Sequence, residues 1–151
     1  MIRILPVVLL LAGPATAQSL PGFTGSWQGE GTLVLGDEPA QRFRCRLVLR
    51  ETHTGETLFQ GRCATAQASQ SFTYMLREDA QGGVSGENRA AVEDDLPARL
   101  TGRTGPGLLR LEGGEGALFE MRRTGAEVHF ALEGQDSRGP ARGEAVLQLR
   151  D

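Results

Sequence analysis

From Phe23 onward, apolar and polar residues alternate in short runs broken by glycine and by Asp/Glu clusters. A turn signal recurs roughly every ten residues, the mark of an antiparallel sandwich or barrel. The pattern predicts strands over 24–35, 41–51, 57–65, 70–77, 83–88, 96–102, 107–112, 117–123, 127–133 and 141–150. Gly36-Asp37, Thr54-Gly55, Gly82-Gly83, Gly105 to Gly107, Gly113-Gly114, Thr124-Gly125 and Gly134 to Gly139 supply the turns between them. Val128, Phe130 and Leu132 alternate with polar residues, as do Ala145, Leu147 and Leu149. Each strand therefore has one apolar and one polar face, as a half-solvated antiparallel sheet requires. Ten strands in an open sheet would leave unpaired edges, so the expected fold is all-β: an up-and-down meander of about eight to ten strands, closed or nearly closed into a barrel. The weakest point of a helix-free reading is 86–95, where Glu87-Asn88-Arg89-Ala90-Ala91-Val92-Glu93 has the composition for two helical turns.

The second and third strands make the sharpest local prediction. With His53-Thr54-Gly55 as a three-residue hairpin loop and Gly55 in its left-handed position, facing residues have numbers that total 108. Cys45 and Cys63 meet that condition and are expected to be joined as a disulfide. Phe43, Cys45, Leu47 and Leu49 then share one face with Phe59, Gly61, Cys63 and Thr65. Arg42, Arg44, Arg46, Arg50 and Arg62 fall on the other face. Closing this loop should stabilise the fold by roughly 3 kcal/mol. A redox-active pair would want Cys-x-x-Cys spacing, which is missing here. The arginine ladder has two readings: a patch for an anionic partner such as a lipid head group, a polysaccharide carboxylate or a phosphate, or a solvated sheet face that discourages edge pairing.

Residues 1–17 are expected to be a cleavable signal peptide. Arg3 precedes the apolar run Ile4 to Ala12, the pair Gly13-Pro14 follows, and Ala15-Thr16-Ala17 places small residues where a signal peptidase reads. Cleavage is expected between Ala17 and Gln18, leaving one domain over 18–151. The apolar run is short of the ~20 residues of a membrane span, and Gln18 is not a lipid-accepting cysteine, so no membrane anchor is expected. The mature chain is expected in the periplasm or secreted, where two cysteines would be oxidised. Removing Arg3 leaves 15 of the 16 basic residues, all arginine, against 19 acidic ones, a net charge of −4. That argues against a strongly basic nucleic-acid binder.

Gly25-Ser26-Trp27-Gln28-Gly29-Glu30-Gly31 opens the first strand, with glycine at alternate positions on the face that carries the only tryptophan. Glycine inside a strand suggests a bend, or the close approach of another backbone or a ligand. The Gly-x-Trp start resembles that of the calycins, the lipocalins and fatty-acid-binding proteins. The longer Gly-x-Trp-x-Gly-x-Gly is similar to the opening of nitrobindin-like haem-binding barrels. The calycin resemblance implies a barrel whose tryptophan closes one end beneath a basic residue near the last strand, here Arg150 or Arg142. The nitrobindin resemblance implies a late histidine on haem iron. His53 falls in a hairpin loop, and His129 alternates outward against Val128 and Phe130, so no cofactor is expected.

Catalytic chemistry has little to build on. Both cysteines are spent on the disulfide, there is no Gly-x-Ser-x-Gly, and two distant histidines do not make a zinc site. Glu93-Asp94-Asp95 and Asp37-Glu38 lack the alternating oxygen spacing of a calcium loop and read as acidic turns. No enzyme and no metal are therefore expected. The reading is a non-catalytic binding protein for a small apolar or amphipathic molecule, with Trp27, Phe43, Phe59, Phe119 and Phe130 as candidate contacts. The alternative is an interaction module that binds an envelope protein or polymer, for example a cell-wall hydrolase inhibitor. If Phe43, Leu47, Leu49, Phe59, Phe72, Leu111, Phe119, Met121, Phe130 and Leu147 all fill the interior of an eight-stranded barrel, little cavity remains.

Overall fold

The computed structural model describes residues 19–90 and 95–150; the expected signal peptide, its cleavage point and part of the 87–93 segment lie outside them. Ten antiparallel strands follow one another: β1 (Gly25–Leu35), β2 (Gln41–Glu51), β3 (Thr57–Ala64), β4 (Ser69–Glu78), β5 (Gly83–Asn88), β6 (Arg99–Gly105), β7 (Leu108–Glu112), β8 (Leu118–Thr124), β9 (Glu127–Asp136) and β10 (Gly139–Arg150). Each pairs with its sequence neighbours, and β1 pairs with β10 to close the barrel. Closure leaves no unpaired edge, which resolves the problem that a ten-stranded open sheet would pose.

The strand positions follow the alternation read from the sequence, with two differences. β6 begins at Arg99 rather than at residue 96 and runs on to Gly105. Pro97 has no N–H to give a ladder, and the carbonyl of Ala98 instead accepts the Asn88 N–H at 2.9 Å. The expected long loop from Gly134 to Gly139 is a tight hairpin: Gly134 pairs with Ala141, and Asp136 with Gly139. Asp136 Oδ1 accepts the Arg138 backbone N–H at 3.0 Å and holds the turn.

The β2–β3 hairpin has the expected register. Cys45 lies opposite Cys63, Leu47 opposite Gly61 and Leu49 opposite Phe59. Cys45 and Cys63 are disulfide-bonded with their Cα atoms 4.1 Å apart. The loop closes through Thr52 and Glu56, and Gly55 takes φ 80°.

All ten residues expected inside are buried. The middle of the barrel is solid: Leu47, Leu49, Phe59, Tyr74, Leu76, Leu100, Leu109, Leu111, Met121, Val128, Phe130 and Leu147 are at most 1% exposed. Leu149, of inward parity, emerges at the end of β10 and is 42% exposed.

The glycine run of β1 accommodates backbone. A side chain at Gly29 would collide with the carbonyl of Val146, and one at Gly31 with that of Glu144. Both carbonyls belong to β10, so these glycines let the first and last strands bend tightly across each other at the closure. The close approach anticipated on the Trp27 face comes from a neighbouring strand.

Candidate functional site

An up-and-down barrel places alternate loops at opposite ends, and the two ends here are built differently. At one end, Leu20–Phe23 forms a short 3₁₀ turn that buries Leu20 and Phe23 across the barrel mouth. The Glu78 carboxylate accepts the backbone N–H groups of Ser19 at 2.8 Å and Leu20 at 3.0 Å, fixing the start of the turn. Trp27, fully buried beneath it, donates its indole N–H to the carbonyl of Phe23 at 2.8 Å. Arg123 packs its guanidinium 5.2 Å from the indole centroid and donates to the carbonyl of Gly22, clamping turn to indole.

The basic residue over Trp27 is thus Arg123 of β8, and neither Arg150 nor Arg142. Arg123 faces Val128 on inward parity at the barrel end. Arg150 lies opposite Ser26 on the outward face. Arg142 lies at the far end, 3.3 Å from Glu133.

Among the described residues, the opposite end is open. The β1–β2, β3–β4 and β9–β10 connections surround an apolar cup of about 250 Å³. Its apolar lining includes Leu33, Phe43, Phe72, Leu96, Phe119 and Leu132. Leu33, Leu96 and Leu132 are only partly buried, so the cup presents apolar surface to solvent. The floor is an aromatic cluster: Phe72 stands 5.0 Å from Phe59 and 4.9 Å from Phe119, centroid to centroid. Tyr74 beneath it donates its hydroxyl to the carbonyl of Pro97 at 2.8 Å, tying the segment that carries Leu96 to the wall.

Around the cup stand the carboxamides of Gln41, Gln67, Gln70 and Gln135. The charged groups at this rim already have partners. Arg138 lies 2.9 Å from Asp136 and 3.4 Å from Glu38, and Glu133 takes Arg142. Hydrogen bonds from the Arg138 side chain and backbone hold the Asp136 carboxyl down to about 2. Cys63 also lines the cup, so the disulfide braces its β2–β3 wall.

Of the candidate ligand contacts, Phe43 and Phe119 reach the cup. Phe59 lies under the floor, Phe130 in the packed middle, and Trp27 at the plugged end. Leu33, Leu96, Leu132 and the glutamines were not singled out from sequence. Inward parity at the strand ends opposite Trp27 marks Leu33, Gln41, Gln70 and Leu132, whereas Gln67 and Leu96 lie in connections and Gln135 has outward parity, so no alternation marks them. His129 faces outward between Arg122 and Val146, and His53 sits exposed in the β2–β3 loop; neither lines the cup. Among the described residues no three His, Cys, Asp or Glu side chains converge as metal ligands.

On the outer wall, Arg42 and Arg44 both bind the Glu30 carboxylate, Arg42 at 2.5 Å. Hydrogen bonds from Arg44 and then Arg42 lower the pKa of Glu30. Arg46 and Arg62 face each other across β2 and β3.

Fold and site together define a closed ten-stranded antiparallel barrel, plugged at one end and opening into an apolar cup at the other. No protein-family model matches the chain, and no curated protein matches it.

Proposed function

We propose that this is an exported, non-catalytic, calycin-like binding barrel whose cup takes the apolar part of a small, uncharged amphipathic molecule. The observation that carries the reading is the solvent-facing apolar cup above an otherwise solid core. A soluble domain gains nothing in stability from leaving such a concavity open, and concave apolar sites with a few polar groups are the usual form of a ligand site. The calycin-like character is supported by the Gly-x-Trp opening, the closed antiparallel barrel and a guanidinium over Trp27, with the difference that this guanidinium comes from β8 and not from near the last strand. Export is supported by the signal-peptide pattern and by the disulfide.

Size and charge narrow the ligand. A cavity of about 150 Å³ holds a benzene ring, so the 250 Å³ cup has room for a ring with a short substituent or the end of an acyl chain. The one arginine lining it is spent on Asp136 and Glu38, and the rest of the uncharged polar lining is the carboxamides of Gln41, Gln67, Gln70 and Gln135 with the hydroxyls of Thr65 and Ser69. That set suits an alcohol, ester or amide head better than a carboxylate.

Native mass spectrometry of protein purified from the envelope tests the proposal. The wild type should carry or take up a ligand of this class, with 1-decanol as the added probe, and Leu132→Asp should lose it. A wild type that neither retains a ligand nor takes up the probe would contradict the reading.

A further inference from the structure

We propose that the outer face of β2 and β3 is a docking surface for a linear acidic polysaccharide, held by Arg46 and Arg62 with Arg44 and Arg50 beside them. Outward positions along a strand recur about every 6.8 Å, and on β2 these are Arg42, Arg44, Arg46, Val48 and Arg50. The molecule itself shows how this ladder takes an anion: the carboxylate of Glu30, on β1, bridges Arg42 and Arg44. One step further along, the pattern stops. The β1 neighbour of Arg46 is Gln28, and its β3 neighbour is Arg62.

Two like charges directly opposite on adjacent strands are unfavourable. Neither Arg46, Arg50 nor Arg62 forms an ion pair among the described residues; Arg62 has only the Ser69 hydroxyl, at 3.4 Å. The face therefore presents guanidiniums that lack the carboxylate their neighbours have, on a mature chain whose net charge is negative. An external carboxylate between Arg46 and Arg62 would complete the row.

A chain with carboxylates at regular intervals fits a straight ladder along one strand better than a globular partner fits this convex wall. Gln28, Gln60, Ser71 and Thr73, outward on the same rows, offer amides and hydroxyls to sugar hydroxyls. The large exposed apolar side chains, Val34, Val146 and Leu149, lie on β1 and β10, and the apolar residues of this face, Val48 and Leu58, are half-buried between the arginines, so it offers little to insert into a lipid surface.

The test is equilibrium binding of the exported protein to polygalacturonate, with dextran and phosphatidylglycerol vesicles in parallel. Saturable binding to polygalacturonate that weakens with added salt is expected. It should fall roughly tenfold in the double variant Arg46→Gln, Arg62→Gln, and remain in Leu132→Asp and in Arg103→Gln. Because the double variant removes a like-charge pair, its melting temperature should hold or rise. A second variant, Arg62→Glu, supplies the missing carboxylate internally and should also abolish binding while remaining folded. Equal binding to dextran, binding confined to vesicles, no binding to polygalacturonate, or undiminished binding in the folded variants would each overturn the proposal.

Discussion

Trp27 is the largest of the fully buried side chains among the described residues. It is fully buried, its indole N–H is satisfied by Phe23, and Arg123 covers its ring. Truncation removes a large packed volume and also the partner of the 3₁₀ plug. Trp27→Ala is therefore expected to destabilise the protein by about 3 to 5 kcal/mol, read from the denaturant midpoint. Because the plugged end lies away from the cup, the wild-type emission should be blue-shifted and should not respond to a cup ligand. A second prediction concerns Asp136. Its carboxyl, held by Arg138, should titrate by NMR near 2 instead of near 3.8. A depressed folded-state pKa means that this contribution is present above the ordinary carboxylate range and is lost as pH falls toward 2. The Arg138 turn at the rim should loosen in that window, and a titration near the ordinary value would show that the clamp does not form.

At the scale of elements, the β2–β3 hairpin was legible to the residue because two constraints agree in it. The glycine position fixes the loop, and the cysteines fix the register. Replacing both cysteines by alanine should cost about 3 kcal/mol, since the unfolded chain regains the freedom of an 18-residue separation. A reduced, unbridged hairpin of unchanged stability would contradict this. The start of β6 was not legible, because Leu96 is apolar and inviting but Pro97 cannot donate to a ladder. The identity of the residue above Trp27 was also hidden. Arg123 shares the inward parity of Phe119 and Met121, but alternation does not say that barrel closure brings the end of β8 over the indole at the start of β1.

For the molecule as a whole, alternation within single strands revealed the meander and its filled middle, and the need to pair the two outer edges pointed to closure. The cup was only half legible. Phe43 and Phe119 were among the expected contacts, but the site is made by strand ends and loops from around the barrel mouth. Which inward residue lies at the floor and which at the rim depends on how far each strand extends, and sequence patterns locate strand ends least well. The outer wall carries charged side chains over an apolar interior, with arginine and glutamate paired repeatedly: Glu120 is held by Arg110 and Arg122, each at 2.7 Å. Burial alone would raise the Glu120 pKa, but these two guanidiniums outweigh it and lower the value.

If the open end of the barrel takes the apolar part of a small neutral molecule, the two ends must respond differently to it. NMR titration of residues 18–151 with 1-decanol, using resolved signals from both ends, is the decisive measurement. Saturable shifts are expected at Leu33, Phe43, Phe72, Phe119 and Leu132, with Trp27 and Val128 unmoved. Shifts that never saturate, or that appear first around Trp27 and the 3₁₀ plug, would contradict binding at the open end.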